Sequence, residues 1–93
     1  MVIGVLHLDL HIPSARSLKA KRHVLRSLEA KLRSRFNVAV AEVEHQDLWQ
    51  RALLAIVSVN TDHGHLEATL IAARDLAEQD RAIEVIEAQV EVL

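Results

Sequence analysis

The 93-residue sequence contains no cysteine and no tyrosine, and it has only two glycines and one proline. Without cysteine, the chain has no disulfide, no thiolate nucleophile and no cysteine-ligated metal site. It has no apolar run long enough to cross a lipid bilayer, so we expect no membrane partner. The opening segment MVIGVLHLDLHI has neither a basic leader nor a small-residue cleavage site, which predicts a cytoplasmic protein.

Apolar residues make up 51% of the chain, which is enough to fill a hydrophobic core and argues against disorder of the whole chain. The length suits one domain. We therefore expect a single folded unit over residues 1–93. No cofactor is predicted.

The spacing of apolar residues predicts six elements of secondary structure. Residues 2–12 alternate with a period of two, as in a strand, whereas the leucines that follow Ser17 recur at helical spacing. Ser17 is a suitable N-cap. Residues 52–59 are the most continuously apolar, which favours a central strand buried on both faces. The predicted elements are strand 2–12, helix 17–35, strand 38–44, strand 52–59, helix 66–80 and strand 82–92.

The order β-α-β-β-α-β predicts an α+β domain with the ferredoxin-like fold. Right-handed crossovers place both helices on one face of a four-stranded antiparallel sheet, with the first and third strands in the middle. The connector 45–50 is expected to contain one helical turn that starts at Asp47. Trp49 in this connector has two interpretations, a cap over the core and an anchor for a partner, and we favour the cap.

Positive charge is concentrated in the first helix, although the net charge of the chain is −2. Eight of the eleven Lys and Arg residues lie between positions 16 and 35, where Glu29 is the only carboxylate. Such polarisation produces a local field that the net charge conceals. Because helix starts favour anions, cations at this start indicate a site for an anionic partner. Its predicted residues are Arg16, Lys19, Lys21, Arg22 and Arg26.

Lys21 differs from the other four cations because it lies on the stripe of buried leucines. It precedes Leu25 by four residues and Leu28 by seven, which places all three on one face of the helix. We expect the stem of Lys21 to pack on the end of the sheet while its ammonium group reaches solvent.

The sheet face opposite the helices is expected to be partly open, with an apolar patch formed by Ile3, Val5, Leu54 and Ile56. Such patches commonly bind a partner, and a second copy of the chain is the simplest one. RNA-binding sheets of the RRM type need aromatic residues on this face. The only aromatic residues, Phe36 and Trp49, lie outside the central strands, so any RNA contact should involve phosphates and shape.

Neither a metal site nor a catalytic site is predicted. His7 and His11 are four residues apart on one strand, which separates them by about 13 Å. The acylphosphatase family shares the element order and is the enzyme alternative. That family has a glycine-rich phosphate loop after strand one, but here the loop contains no glycine. Arg16 and Asn60 would be the only candidates for its arginine and asparagine.

Two motifs resemble the YlxP-like family of small bacterial proteins. The first is Ser17-Leu18-Lys19-Ala20-Lys21-Arg22, and the second runs from Phe36-Asn37-Val38 through Val40-Ala41-Glu42-Val43 to Gln46-Asp47-Leu48-Trp49-Gln50-Arg51-Ala52. The resemblance covers essentially the whole chain. It implies a ferredoxin-like domain of unknown function, and it supplies no catalytic residues. Genes of this family often lie near those for translation initiation factor two and a ribosome-binding factor, which implies a role near the small ribosomal subunit.

The leading hypothesis from the sequence is a non-enzymatic protein that binds RNA or the small ribosomal subunit through the first helix. One alternative is a protein–protein module or homodimer that uses the open sheet face. Another is an acylphosphatase-like enzyme.

Overall fold

The computed structural model covers residues 1–93 and has the predicted order of elements. The six elements are β1 (Val2–His11), α1 (Leu18–Arg35), β2 (Ala39–Glu44), β3 (Arg51–Asn60), α2 (His63–Glu78) and β4 (Glu84–Val92). The main difference from prediction is that α2 begins at His63, three residues early. Asp62 explains this start, because its carboxylate accepts a hydrogen bond from the backbone N–H of His65 at 2.9 Å and so caps the helix.

The four strands form one antiparallel sheet in the order β2-β3-β1-β4. The chain is therefore an α+β domain with the ferredoxin-like arrangement, and the first and third strands occupy the middle as predicted. β1 pairs along its whole length with β3, from Val2 opposite Asn60 to His11 opposite Arg51. This register decides which side chains share a face of the sheet.

Both helices pack on one face of the sheet and bury it. Leu6, Leu8 and Leu10 of β1 are fully buried, and each contributes about 1.5–3 kcal/mol of hydrophobic stabilisation. The prediction that β3 is buried on both faces is wrong, because Val57 and Val59 on its other face are exposed. An antiparallel sheet with helices on one side leaves the opposite side open to solvent.

The two helices occupy different parts of this face. α1 packs against β2 and α2, whereas α2 packs against β1, β3 and β4. Gly4 allows α2 to approach β1 closely, since a Cβ atom there would lie 2.8 Å from Leu70 Cδ1 and 3.0 Å from Leu66 Cδ2. Neither helix combines the length and apolar character that a membrane span requires.

Candidate functional site

The start of α1 has the predicted Ser17 cap. Ser17 Oγ accepts a hydrogen bond from the N–H of Ala20 at 3.0 Å, and its carbonyl accepts one from the N–H of Lys21 at 3.1 Å. The first turn contains no acidic residue. An anion at this end must therefore be bound mainly by the surrounding side chains, because the cap already uses part of the backbone donors.

Four of the five cations in the predicted anion site are exposed and unpaired. Arg16, Lys19, Arg22 and Arg26 are all exposed, and no carboxylate lies within 4 Å of any of them. Arg22 follows Lys19 by three residues and Arg26 follows Arg22 by four, so these three side chains lie along one face of α1. Arg16 precedes the helix. We call the four exposed residues the cation row.

Arg33 extends the line of the cation row towards the sheet. It lies seven residues after Arg26 and therefore on nearly the same face. Its Nη2 donates a hydrogen bond to the carbonyl oxygen of Val40 at 3.0 Å. Because Val40 belongs to the edge strand β2, this bond shows that the row runs along the β2 side of the domain.

Lys21 does not belong to the anion site, and the prediction that its ammonium group reaches solvent is wrong. Its side chain is 1% exposed. Nζ lies 2.7 Å from Glu42 Oε2 and donates a hydrogen bond to the carbonyl oxygen of His45 at 2.6 Å. The side chain follows the buried leucine stripe as expected, but β2 supplies one partner, Glu42, and the first residue of the connector supplies the other, His45.

These two contacts fix the end of β2. The pairing of β2 with β3 is irregular between Glu42 and Glu44, and His45 has a φ of 66°, a left-handed conformation that is uncommon for a residue other than glycine. Lys21 bonds the carbonyl of this residue and neutralises the carboxylate at the bulge. The motif lysine thus has a structural function, because it holds the entry into the connector 45–50.

The exit of the connector is held just as closely. Gln50 Nε2 donates to the carbonyl oxygens of Pro13 at 3.1 Å and Ala15 at 3.2 Å, and the backbone N–H of Ile12 donates to the Gln50 carbonyl at 2.8 Å. The predicted helical turn at Asp47 is absent; instead, a tight turn is closed by the Leu48 N–H and the His45 carbonyl at 3.0 Å. The connector is therefore pinned to the β1–α1 loop.

Trp49 projects from this connector into solvent, so its predicted function as a core cap is wrong. Its exposure is 54%, and that of the adjacent Leu48 is 44%. The two side chains line a shallow concavity of about 460 Å³ together with Asp47, Gln50 and Arg51. The hydrogen bonds that anchor the connector are made by neighbouring residues, and Trp49 is not among the residues that pack against the core.

The open sheet face contains only two of the four residues predicted for it. Ile3 and Val5 lie there, but Leu54 and Ile56 are fully buried under the helices, and their assignment to this face is wrong. The register explains the error: Leu54 is opposite Leu8, and directly opposed residues project to the same side of an antiparallel sheet. The exposed apolar residues of β3 are instead Val57 and Val59, with exposures of 36% and 46%.

The other half of the open face is polar. Arg51 Nη2 donates to both carboxylate oxygens of Asp9, at 2.8 and 3.1 Å, and His11 Nδ1 lies 3.0 Å from Glu84 Oε2. A concavity of about 320 Å³ nearby is lined by His7, Asp9, Leu53, Glu87 and Gln89. No group of three His, Asp or Glu side chains has the geometry of a metal site.

Arg16 and Asn60, the two residues that an acylphosphatase-like site would need, lie far apart. Asn60 lies opposite Val2 at the start of β1, whereas Arg16 follows the end of that strand at His11. A strand of this length separates the two ends by about 30 Å. Arg16 and Asn60 therefore cannot bind the same phosphate group.

Comparison with known proteins places this geometry in a family. Residues 3–90 match the family described as "Protein of unknown function (DUF503)". The chain belongs to this family. It is also 35% identical over 69 residues to "Uncharacterized protein YlxP" of Bacillus subtilis (strain 168), a match that covers 74% of this chain and 75% of that protein. The membership confirms the resemblance seen in the two motifs.

Proposed function

We propose that this protein binds RNA through the phosphate groups, using the exposed cations of α1. One observation carries the proposal: of the eight cations between positions 16 and 35, only Lys21 has a carboxylate within 4 Å. Lys19, Arg22, Arg26 and Arg33 share one face of α1. Unpaired cations so placed repel each other in the free protein, and a polyanion that binds them relieves this repulsion. RNA presents such charges at regular intervals.

The position of α1 supports this proposal. The helix packs on β2 and α2, while the acidic strand β4, with Glu84, Glu87 and Glu91, forms the opposite edge of the sheet. The three carboxylates of β4 are therefore kept away from the cation row.

The sheet favours contacts with phosphates over base stacking. The side chains on the open faces of β1 and β3 include Ile3, Val5, Val57 and Val59, and neither strand contains Phe, Tyr or Trp. An RRM-like surface is therefore absent from the sheet. The family resemblance implies a location near the small ribosomal subunit, and ribosomal RNA is accordingly the RNA that we propose as the partner.

The test compares two double variants with the same chemical change. Arg22→Gln/Arg26→Gln removes two guanidinium groups from the cation row, and Arg74→Gln/Arg81→Gln removes two from α2 and the turn that follows it. Binding of labelled fragments of small-subunit ribosomal RNA is measured at several salt concentrations. We expect the first variant to bind more weakly and the slope of log Kd against log salt to decrease by about 0.7–0.9 for each phosphate that is no longer neutralised. The second variant should bind as the wild type does.

Equal effects of the two double variants would show that only net charge matters, and this result would overturn the assignment of the surface. Wild-type affinity in the Arg22/Arg26 variant would overturn the proposal in the same way. Circular dichroism of both variants, which change only exposed or half-exposed side chains, shows whether the fold is retained.

A second candidate function is self-association through the open sheet face, with a second copy of the chain as the partner. Val5 lies opposite Val57 and Ile3 opposite Val59, so these four residues form a contiguous apolar patch on β1 and β3. Val57→Glu should reduce the molecular mass measured by light scattering to that of a monomer. Ile71→Glu is the control, because Ile71 is similarly exposed at 40% but lies on α2. A monomeric wild type at high concentration would exclude this function.

A further inference from the structure

Trp49 is the exposed side chain that the proposed contacts with phosphates leave unexplained. It is the only tryptophan of the chain, and 54% of it is exposed. The connector that carries it is held at both ends, by Lys21 at the His45 carbonyl and by Gln50 at the β1–α1 loop. An aromatic side chain on a fixed backbone loses little conformational freedom when it binds a ligand.

The same hydrogen bonds place Trp49 at the end of the domain where the cation row begins. Gln50, the next residue after Trp49, bonds to the carbonyl of Ala15, the residue before Arg16. On the other side of the connector, the His45 carbonyl bonds to Lys21, the residue before Arg22. The exposed indole and the first cations of the row therefore lie at the same end of the domain.

An exposed aromatic ring at the same end of a domain as unpaired cations has the composition of a single-strand nucleic-acid site, in which bases stack on the ring and cations bind the phosphates. Asp47 lines the same concavity as the indole, and its carboxylate repels phosphate groups there. Phosphates are therefore favoured at the cation row, and an uncharged base is favoured at the indole.

We infer that Trp49 stacks against an unpaired base of the bound RNA, while Arg16, Lys19 and Arg22 bind the adjacent phosphates. This inference rests on the proposed RNA-binding function and adds the class of substrate, which is single-stranded RNA or an unpaired loop. It also assigns a function to Trp49, which lies in the second family motif, between Phe36 and Ala52. The base contact is made by the connector and not by the sheet.

The protein contains one tryptophan and no tyrosine, so its tryptophan fluorescence reports on Trp49 alone. The wild type is titrated with oligouridylate, with an abasic ribose–phosphate chain of the same length, and with an RNA duplex. We expect oligouridylate to quench the emission and to bind roughly 5- to 150-fold more tightly than the abasic chain, as stacking of one base predicts. The abasic chain and the duplex should leave the emission unchanged.

Two variants complete the test, with affinity measured from the anisotropy of labelled RNA. Trp49→Ala should remove the preference for oligouridylate over the abasic chain, whereas Trp49→Phe should retain most of it. Leu48→Ala is the matched control, because Leu48 is exposed on the same connector but cannot stack in this way, and it should behave as the wild type does.

The outcomes separate this inference from the function on which it rests. If oligouridylate and the abasic chain bind equally and the emission is unchanged, while Arg22→Gln/Arg26→Gln still weakens binding, the stacking inference is wrong and RNA binding stands. If Trp49→Ala binds RNA as the wild type does, the indole serves another partner and the inference is also overturned. If no RNA binds at any salt concentration, both proposals fail.

Discussion

The ion pair between Lys21 and Glu42 gives the sharpest prediction about stability. Lys21→Met keeps most of the length of the stem and its packing but removes the ammonium group. It would leave the Glu42 carboxylate, which is 18% exposed, without its cation. The His45 carbonyl would lose the bond from the ammonium group and keep the one from the Leu48 N–H. Removal of one partner of a buried pair costs about 3–5 kcal/mol, and the loss of one hydrogen bond at a carbonyl that keeps another costs about 0.5–1.5 kcal/mol.

These two costs are not additive in full, because β2 is an edge strand and Glu42 can turn towards water. We therefore expect a decrease in the free energy of unfolding near the lower limit, about 3 kcal/mol. A domain of this length has a free energy of unfolding of roughly 5–14 kcal/mol, so the variant should fold but with much reduced stability. Arg22→Met is the control, since the adjacent Arg22 is exposed, and it should change stability by less than about 0.5 kcal/mol.

The assay is urea unfolding followed by far-ultraviolet circular dichroism, because the exposed Trp49 is a poor reporter of the core. The double variant Lys21→Met/Glu42→Gln should recover a large part of the stability, since it removes both charges of the pair. A decrease below about 1 kcal/mol in Lys21→Met would refute the reasoning. It would mean that the ion pair with Glu42 contributes little to the stability of the fold.

Two further changes test how α2 and the connector are held. Gly4→Ala should lower stability by about 1 kcal/mol, measured by thermal unfolding, because the added methyl group meets Leu70 and Leu66 at a cost of overpacking; wild-type stability would show that these leucines move aside freely. Gln50→Ala should cost about 1–2 kcal/mol because it removes two hydrogen bonds to the β1–α1 loop, and it should increase the mobility of Trp49, measured by fluorescence anisotropy. Gln46→Ala, which removes one exposed bond of 3.3 Å, is the control and should cost less than about 0.5 kcal/mol.

The fold could be predicted because each element has its own period and its own end signals. Ser17 caps α1 as expected, and the alternation in β1 gives its buried face correctly. The face of β3 could not be predicted in the same way. In its sequence RALLAIVSVN, apolar residues occupy both the odd-numbered and the even-numbered positions, so both faces look alike. Only the pairing of Leu54 with Leu8 shows which side chains are buried.

The candidate site was predictable in its charges but not in its contacts. Clustered cations are visible in any sequence, and four of the five predicted residues are indeed exposed. The partners of Lys21 lie 21 and 24 residues away on another element, and no local pattern reveals them. The exposure of Trp49 is equally hidden, because a lone tryptophan in an apolar-rich chain is more often buried. The sequence did contain one indication of this exposure, because the nearby residues Asp47 and Gln50 are both polar.

The topology of the sheet explains why a chain with a net charge of −2 can present a basic surface. Three strand spacings separate β2 from β4, which amounts to about 14 Å, and α1 stands above the plane of the sheet at the β2 side. The Debye length at physiological salt is about 8 Å. The field of the carboxylates on β4 is therefore largely screened before it reaches the cation row, whereas a phosphate in contact with Arg22 or Arg26 lies well inside that length. The carboxylates of β4 therefore contribute little to the potential that an approaching polyanion meets at the cation row, and the net charge of the whole chain does not describe that potential.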